Sequence, residues 1–246
     1  MARRALKHHV QQNLFRRGGK RAGAGRKPKN GWSGAPHKRR PKLVVSQPVH
    51  VVLRVLPVVG NLRRRETYKA VLDACTLAAT RARIRICHIS IQRTHLHLIV
   101  EAPNKLALAR GLQGFQVSVA RRVNTLIGES PYRRRRGPVF TNRYHAVAIT
   151  SPTQMRNVLS YVLSNWRKHA EDRTGTLRGY LIDPFSSGYS FSDWHELRGQ
   201  PPQWPTSAPY GRLIVSPPRS WVLRTGWKLA GPISLHAVPS RPSRSS

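Results

Sequence analysis

Acidic side chains are scarce in this chain: 9 Asp and Glu stand against 44 Lys and Arg in 246 residues, and none precedes Glu66. The few acids of the central region, chiefly Glu66, Asp73, Glu101 and Glu129, show no arrangement suited to a two-metal carboxylate nuclease. A formal net charge of +35 repels itself unless a polyanion meets it and releases counterions. Nucleic acid is the first partner this balance points to. Long apolar runs are missing too. The most apolar stretch, LVVSQPVHVVLRVLPVV from 43 to 59, is broken by Gln47, Pro48, His50, Arg54 and Pro57, so it cannot span a bilayer and no membrane partner is expected. The first residues, MARRALKHHVQQNLFRRGGK, are basic but carry neither the apolar core of an export signal nor the serines of an organellar presequence. Cysteine is nearly absent. Cys75 and Cys87 are too far apart for a CxxC pair and give no disulfide framework, which suits a reducing compartment. The expected location is the cytoplasm.

What is present supports a folded core, since 39 % of the residues are apolar. Residues 1–42 hold 14 Lys and Arg among Gly and Pro and read as a disordered basic arm. A near alternation of β-branched residues predicts a strand over 44–56, with Pro48 placing it toward an edge. Tyr68, Val71, Leu72, Cys75 and Ala79 recur at helical spacing and predict a helix over 66–82. IRICHISIQ and HLHLIVEA, separated only by Arg93 and Thr94, read as a tight hairpin, with Cys87 on one apolar face with Ile89 and Ile91. A second helix begins at the N-cap Asn104 and runs to Gly128, weakened by Gly111 and Gly114. The arginine cluster of 132–138 is a loop, 139–149 is a fourth strand, and Ser151 followed by Pro152 opens a third helix to Ala170. Strand, helix, strand, strand, helix, strand, helix is an α+β, ferredoxin-like split βαβ with one added helix. We expect a catalytic domain over 43–172, a docked extension over 173–197, and a Pro- and Ser-rich tail over 198–246, mostly extended or disordered.

Two features carry chemistry. Side chains alternate along a strand, so His95 and His97 share one face while Leu96, Leu98 and Val100 take the other. Two neighbouring imidazoles are a ready pair of metal ligands, although the spacing alone is weak evidence and fits two satisfied core or surface histidines better. In the third helix, Met155, Val158, Leu159, Val162, Leu163 and Trp166 form a buried stripe. Tyr161, Asn165 and Lys168 stack along its flank.

THLHLIVEA, FTNRYHAVAIT and MRNVLSYVLSNWRKH, in this order, resemble the single-tyrosine HUH transposases of bacterial insertion sequences, most of all the REP-associated tyrosine transposases. The resemblance covers roughly 44–195. It implies a DNA transposase that cleaves and rejoins single-stranded or hairpin DNA through a 5′-phosphotyrosine. Tyr161 is then the nucleophile, and His95, His97 and Asn165 hold Mg²⁺ or Mn²⁺. It also implies a bacterial cytoplasmic protein that joins the nucleoid when DNA-bound, and it leaves monomer and homodimer open. The sequence departs from the family at Thr94, where Asn is frequent, at Trp166, where Pro is frequent, and in its long arm and tail. Histidine and amide ligands leave a cation its full charge, which neutralises a phosphodiester as it is attacked. A free tyrosine has a pKa of about 10, so the nucleophile needs help, for which His145 and Lys168 are both available. Arg133, Arg134, Arg135, Arg136, Arg143 and Lys168 are expected DNA contacts, and Tyr144 and His145 candidate lining residues. The competing reading is a noncatalytic nucleic-acid binder, a domesticated transposase or an RNA-binding ferredoxin-like protein. Against the second form of it, HLHLIVEA offers no Phe or Tyr on which bases would stack.

Overall fold

The computed structural model describes residues 47–81, 84–128, 133–141, 143–173, 177–205 and 211–239. The basic arm, the start of the first expected strand, Glu129, Tyr132 and Asn142 lie outside the described residues. Four strands form one antiparallel sheet: β1 (Val49–Arg54), β2 (Arg85–Ile91), β3 (His95–Glu101) and β4 (His145–Ala148), in the order β2-β3-β1-β4. Helices α1 (Arg65–Thr80) and α2 (Lys105–Leu126) make the two crossovers, one passing over β3 and the other over β1. This is the split βαβ plan, with α3 (Pro152–Lys168) added.

The sheet has two occupied faces. On one, Val49, Val51, Leu53, Leu96, Leu98 and Val100 pack under α1 and α2. Gly111 permits that packing: a Cβ there would lie 2.4 Å from Cγ2 of Ile84, so the residue that weakens α2 by propensity is the one that seats it. The other face receives α3 through Met155, Val158, Leu159, Val162 and Leu163. Local signals start both helices where the sequence places them. The Asn104 side chain accepts from the Ala107 N–H at 2.8 Å. Ser151 accepts from Gln154 N–H at 3.2 Å ahead of Pro152, and Gln154 reaches back to the Thr150 N–H at 2.9 Å.

Three departures from the sequence reading have physical causes. The fourth strand is split: Phe140 makes an isolated bridge to Val55, and regular pairing resumes only at His145. A bulge between Ile86 and His88 turns Cys87 onto the α3 face, away from Ile89 and Ile91. Finally, the tail is irregular in backbone yet packed. Beyond Asp183, Phe185, Tyr189, Phe191 and Trp194, the later Val222, Leu223, Trp227, Ile233 and Leu235 are buried, most of them against α3. A short helix, α4 (Trp221–Arg224), lies within this segment. Its N-terminal backbone is tied to the sheet by Glu101, whose carboxylate accepts from the Arg219 and Ser220 N–H groups at 2.8 Å each. Periodicity could not reveal this layer, because an irregular segment carries no period.

Candidate active site

His95 and His97 stand on the α3 face of the sheet, as their alternation with Leu96 and Leu98 requires. His97 is buried and His95 half-buried. Their ring centroids lie 4.7 Å apart, edge to face. From α3, the Tyr161 ring lies 5.1 Å from that of His97, edge on. The strand and the helix therefore meet. Asn165 is fully buried, and neither its Oδ1 nor its Nδ2 has a hydrogen-bond partner. Nε2 of His97 and Nζ of Lys168 are likewise buried and unpartnered, and the Lys168 ammonium lies 5.2 Å from the centre of the Tyr161 ring. Leaving such groups unsatisfied costs about 1–3 kcal/mol each. Two of them, on His97 and Lys168, lie on residues that flank the Tyr161 ring, which marks a site held ready for something.

The helix is not regular across this site. Ser164, between Tyr161 and Asn165, has φ −116° and ψ 15°, so α3 kinks there and a last short turn carries Asn165 and Lys168. The simple i, i+4 stacking read from the sequence is thus broken by a bend, and no proline or glycine marks it.

Electrostatics favour the neutral, ligating form of each imidazole. Burial, and then Arg54 and His169, pull His95 down to about 4. Burial, followed by His50, His95, His169 and Lys168, holds His97 well below the usual imidazole range. Two of these neighbours escape a reading of the sequence. His50 projects from β1, with its ring stacked on His97 at 5.3 Å, and burial and then His145 bring it to about 4. His169, at the C-cap of α3, lies 6.4 Å from His95. Finding His50 requires the β1–β3 register, in which Val52 faces His97 and His50 sits diagonally to it.

The other expected residues divide. Arg133, Arg134, Arg136 and Arg143 are exposed. Arg135 is engaged inside the fold: its guanidinium donates to Asn124 Oδ1 at 2.9 Å and Pro138 O at 3.1 Å, which staples the loop to α2. The loop ends beside the histidines, since Thr141 N–H donates to the carbonyl of Arg54, the residue opposite His95. His145 is exposed on β4, while Tyr144 packs toward the α1 and α2 core, away from the site. Among the described residues, no group of three His, Cys, Asp or Glu side chains is arranged to hold a metal ion, so a cation here needs an amide as well as imidazoles. Asp73 pairs with Arg122 and Glu101 is occupied by the tail, so among the described residues no carboxylate cluster forms a centre for the nuclease alternative.

A four-stranded antiparallel sheet has two crossover helices on one face and, on the other, a helix bearing Tyr161 against paired histidines, an α+β domain of the split βαβ plan with one added helix. The family model described as "Transposase IS200 like" matches residues 44–165, which span this sheet and the site, and the chain belongs to that family. Among solved structures, one described as a REP-associated tyrosine transposase bound to a REP hairpin is similar at 16 % identity and TM-score 0.50. The match covers 74 % of this chain and 100 % of that one. A putative transposase from Deinococcus radiodurans matches at 12 % identity and TM-score 0.35, over 58 % of this chain and 100 % of that one. No curated protein matches the chain. No helix among the described residues is long and apolar enough to cross a membrane.

Proposed function

We propose that this transposase cleaves and rejoins single-stranded or hairpin DNA with Tyr161 as nucleophile, His95, His97 and Asn165 holding Mg²⁺ or Mn²⁺. The observation that carries the reading is the Tyr161 ring set edge-on to His97, whose Nε2 is buried and unpartnered, with both polar atoms of the Asn165 amide also buried and unpartnered further along α3. Two neutral nitrogens and an amide oxygen fit a divalent ion, which when bound supplies positive charge to the attacked phosphate. The remaining chemistry belongs to the chain. Tyr161 Oη forms a bond to phosphorus as the 3′ oxygen departs, leaving a 5′-phosphotyrosine and a free 3′-hydroxyl that can reverse the step. The phenol must lose its proton, and the Lys168 ammonium lies over the Tyr161 ring. Exposed Arg133, Arg134, Arg136 and Arg143, at the histidine end of the sheet, offer charge to the DNA backbone. The similar structure bound to a REP hairpin supports a hairpin as substrate.

The test incubates the full chain with hairpin-forming single-stranded DNA and Mn²⁺ and resolves covalent adducts on a denaturing gel. An adduct is expected, lost with chelator and lost in Tyr161→Phe. Persistence of the adduct in Tyr161→Phe removes Tyr161 from the reaction. Tight binding without any adduct across many hairpins favours the noncatalytic binder. The basic arm is proposed to grip phosphates nonspecifically, so deleting residues 1–42 should flatten the salt dependence of binding and leave cleavage intact. An unchanged slope excludes the arm as a contact.

A further inference from the structure

The histidines that face the proposed cation are each engaged through one nitrogen by a neighbour that the transposase reading does not use. Nδ1 of His97 lies 3.2 Å from Nε2 of His50, with the rings stacked at 21°. Nδ1 of His95 lies 3.2 Å from the Thr94 hydroxyl. For His97 the nitrogen left over is Nε2, which is buried and unpartnered. A neutral imidazole has one N–H and one lone pair, so the contact at Nδ1 decides what Nε2 presents.

We infer that His50 is a positioning residue that accepts the Nδ1–H of His97, thereby fixing the tautomer that aims the Nε2 lone pair of His97 into the site. The inference deepens the metal reading above and rests on it. If Nε2 is to bind a cation, the proton of His97 must sit on Nδ1, and a partner must accept it there. Carboxylates usually serve this purpose in metal sites. Here Glu101 is engaged by the tail, Asp73 by Arg122 and Asp183 by Arg63, and the group against His97 Nδ1 is an imidazole. An imidazole takes the place of the carboxylate. The geometry suits it: β1 and β3 pair with Val52 opposite His97, so His50, two residues along β1 on the same face, reaches His97 diagonally. The two rings are near parallel, 21° apart, and meet through their nitrogens, so the contact also fixes the plane of the His97 ring. His50 keeps its own proton on Nδ1, and the pair carries no net charge into a buried site. Thr94 acts in the same sense on His95, accepting through a hydroxyl, but its exposure lets water substitute for it.

Two measurements on the full chain test this. In the metal-free protein at neutral pH, long-range proton–nitrogen spectra of ¹⁵N-labelled histidine report which nitrogen of His97 is protonated. Nδ1–H is expected in the wild type, shifting to Nε2–H in His50→Phe. The second is the dissociation constant for Mn²⁺ alone, without DNA. His50→Phe should weaken it by roughly 10–100-fold, the usual effect of removing an outer partner, and His50→Gln, whose amide oxygen can accept the same proton, should recover most of it. Thr94→Val should cost less than His50→Phe. Mn²⁺ affinity within twofold of wild type in His50→Phe, an unchanged His97 tautomer, or equal losses in the Phe and Gln variants overturns the inference. Those outcomes leave the metal reading standing if His97→Ala abolishes Mn²⁺ binding. Unaltered Mn²⁺ binding in His97→Ala, or none in the wild type, overturns the metal reading itself and this inference with it.

Discussion

Asp183→Ala should cost about 3–5 kcal/mol of stability, the usual effect of breaking a buried ion pair from one side. The two side chains are 0 % exposed for Asp183 and 3 % for Arg63. The pair is bidentate, with Nη1 to Oδ2 at 2.9 Å and Nη2 to Oδ1 at 2.8 Å. Oδ1 also accepts from the Phe185 N–H at 3.0 Å. The substitution strips the guanidinium of both charge-assisted bonds and leaves it only the Ile91 carbonyl at 3.0 Å and the face of Phe185 at 4.2 Å. Water cannot reach it without opening the seam between β2 and the 182–191 segment. Urea unfolding at neutral pH, followed by tryptophan fluorescence, measures the loss. Arg63→Met combined with Asp183→Leu should recover most of it, since no charge is then left buried. A loss below about 1 kcal/mol for the single variant would refute the reasoning, because the pair would then be no more than a surface contact.

Two further outcomes follow from buried polar groups. Asn165→Leu should raise metal-free stability by about 1–2 kcal/mol in the same urea assay, since it removes unpaired amide atoms, while abolishing adduct formation. A loss of stability would show that the amide is satisfied. His88, which is buried and brought down to about 4 by burial, is neutral when folded. The unfolded chain, with an ordinary value of about 6.5, then binds more protons between roughly pH 6.5 and 4. Stability falls as pH drops through that window, by about 2 kcal/mol from His88 at pH 5. His88→Gln should show a correspondingly shallower loss between pH 7 and 5, and an unchanged slope would contradict the assignment.

Most of the sheet and the site was legible because both rest on short-range regularities. Alternation put His95 and His97 on one face, and the stripe of Met155 through Trp166 gave α3 its buried side. What the sequence hid depends on long-range register or on departures from regularity. His50 becomes a neighbour of His97 only when β1 and β3 are paired. The bend at Ser164 and the bulge at Cys87 leave no compositional mark. The tryptophans of the tail have no period, and their purpose emerges only from what they cover. Trp194 donates from Nε1 to the Gly188 carbonyl at 3.0 Å, and Trp227 packs on Phe191 at 5.5 Å.

That late layer bears on when α3 becomes covered on both sides. The chain leaves the ribosome amino end first, so the sheet and α3 are made before Val222, Trp227, Ile233 and Leu235, which close over the helix. Until they emerge, the apolar back of the tyrosine helix faces water and the helix is held from one side only. A nascent chain therefore carries α3 against the sheet before its outer side is covered.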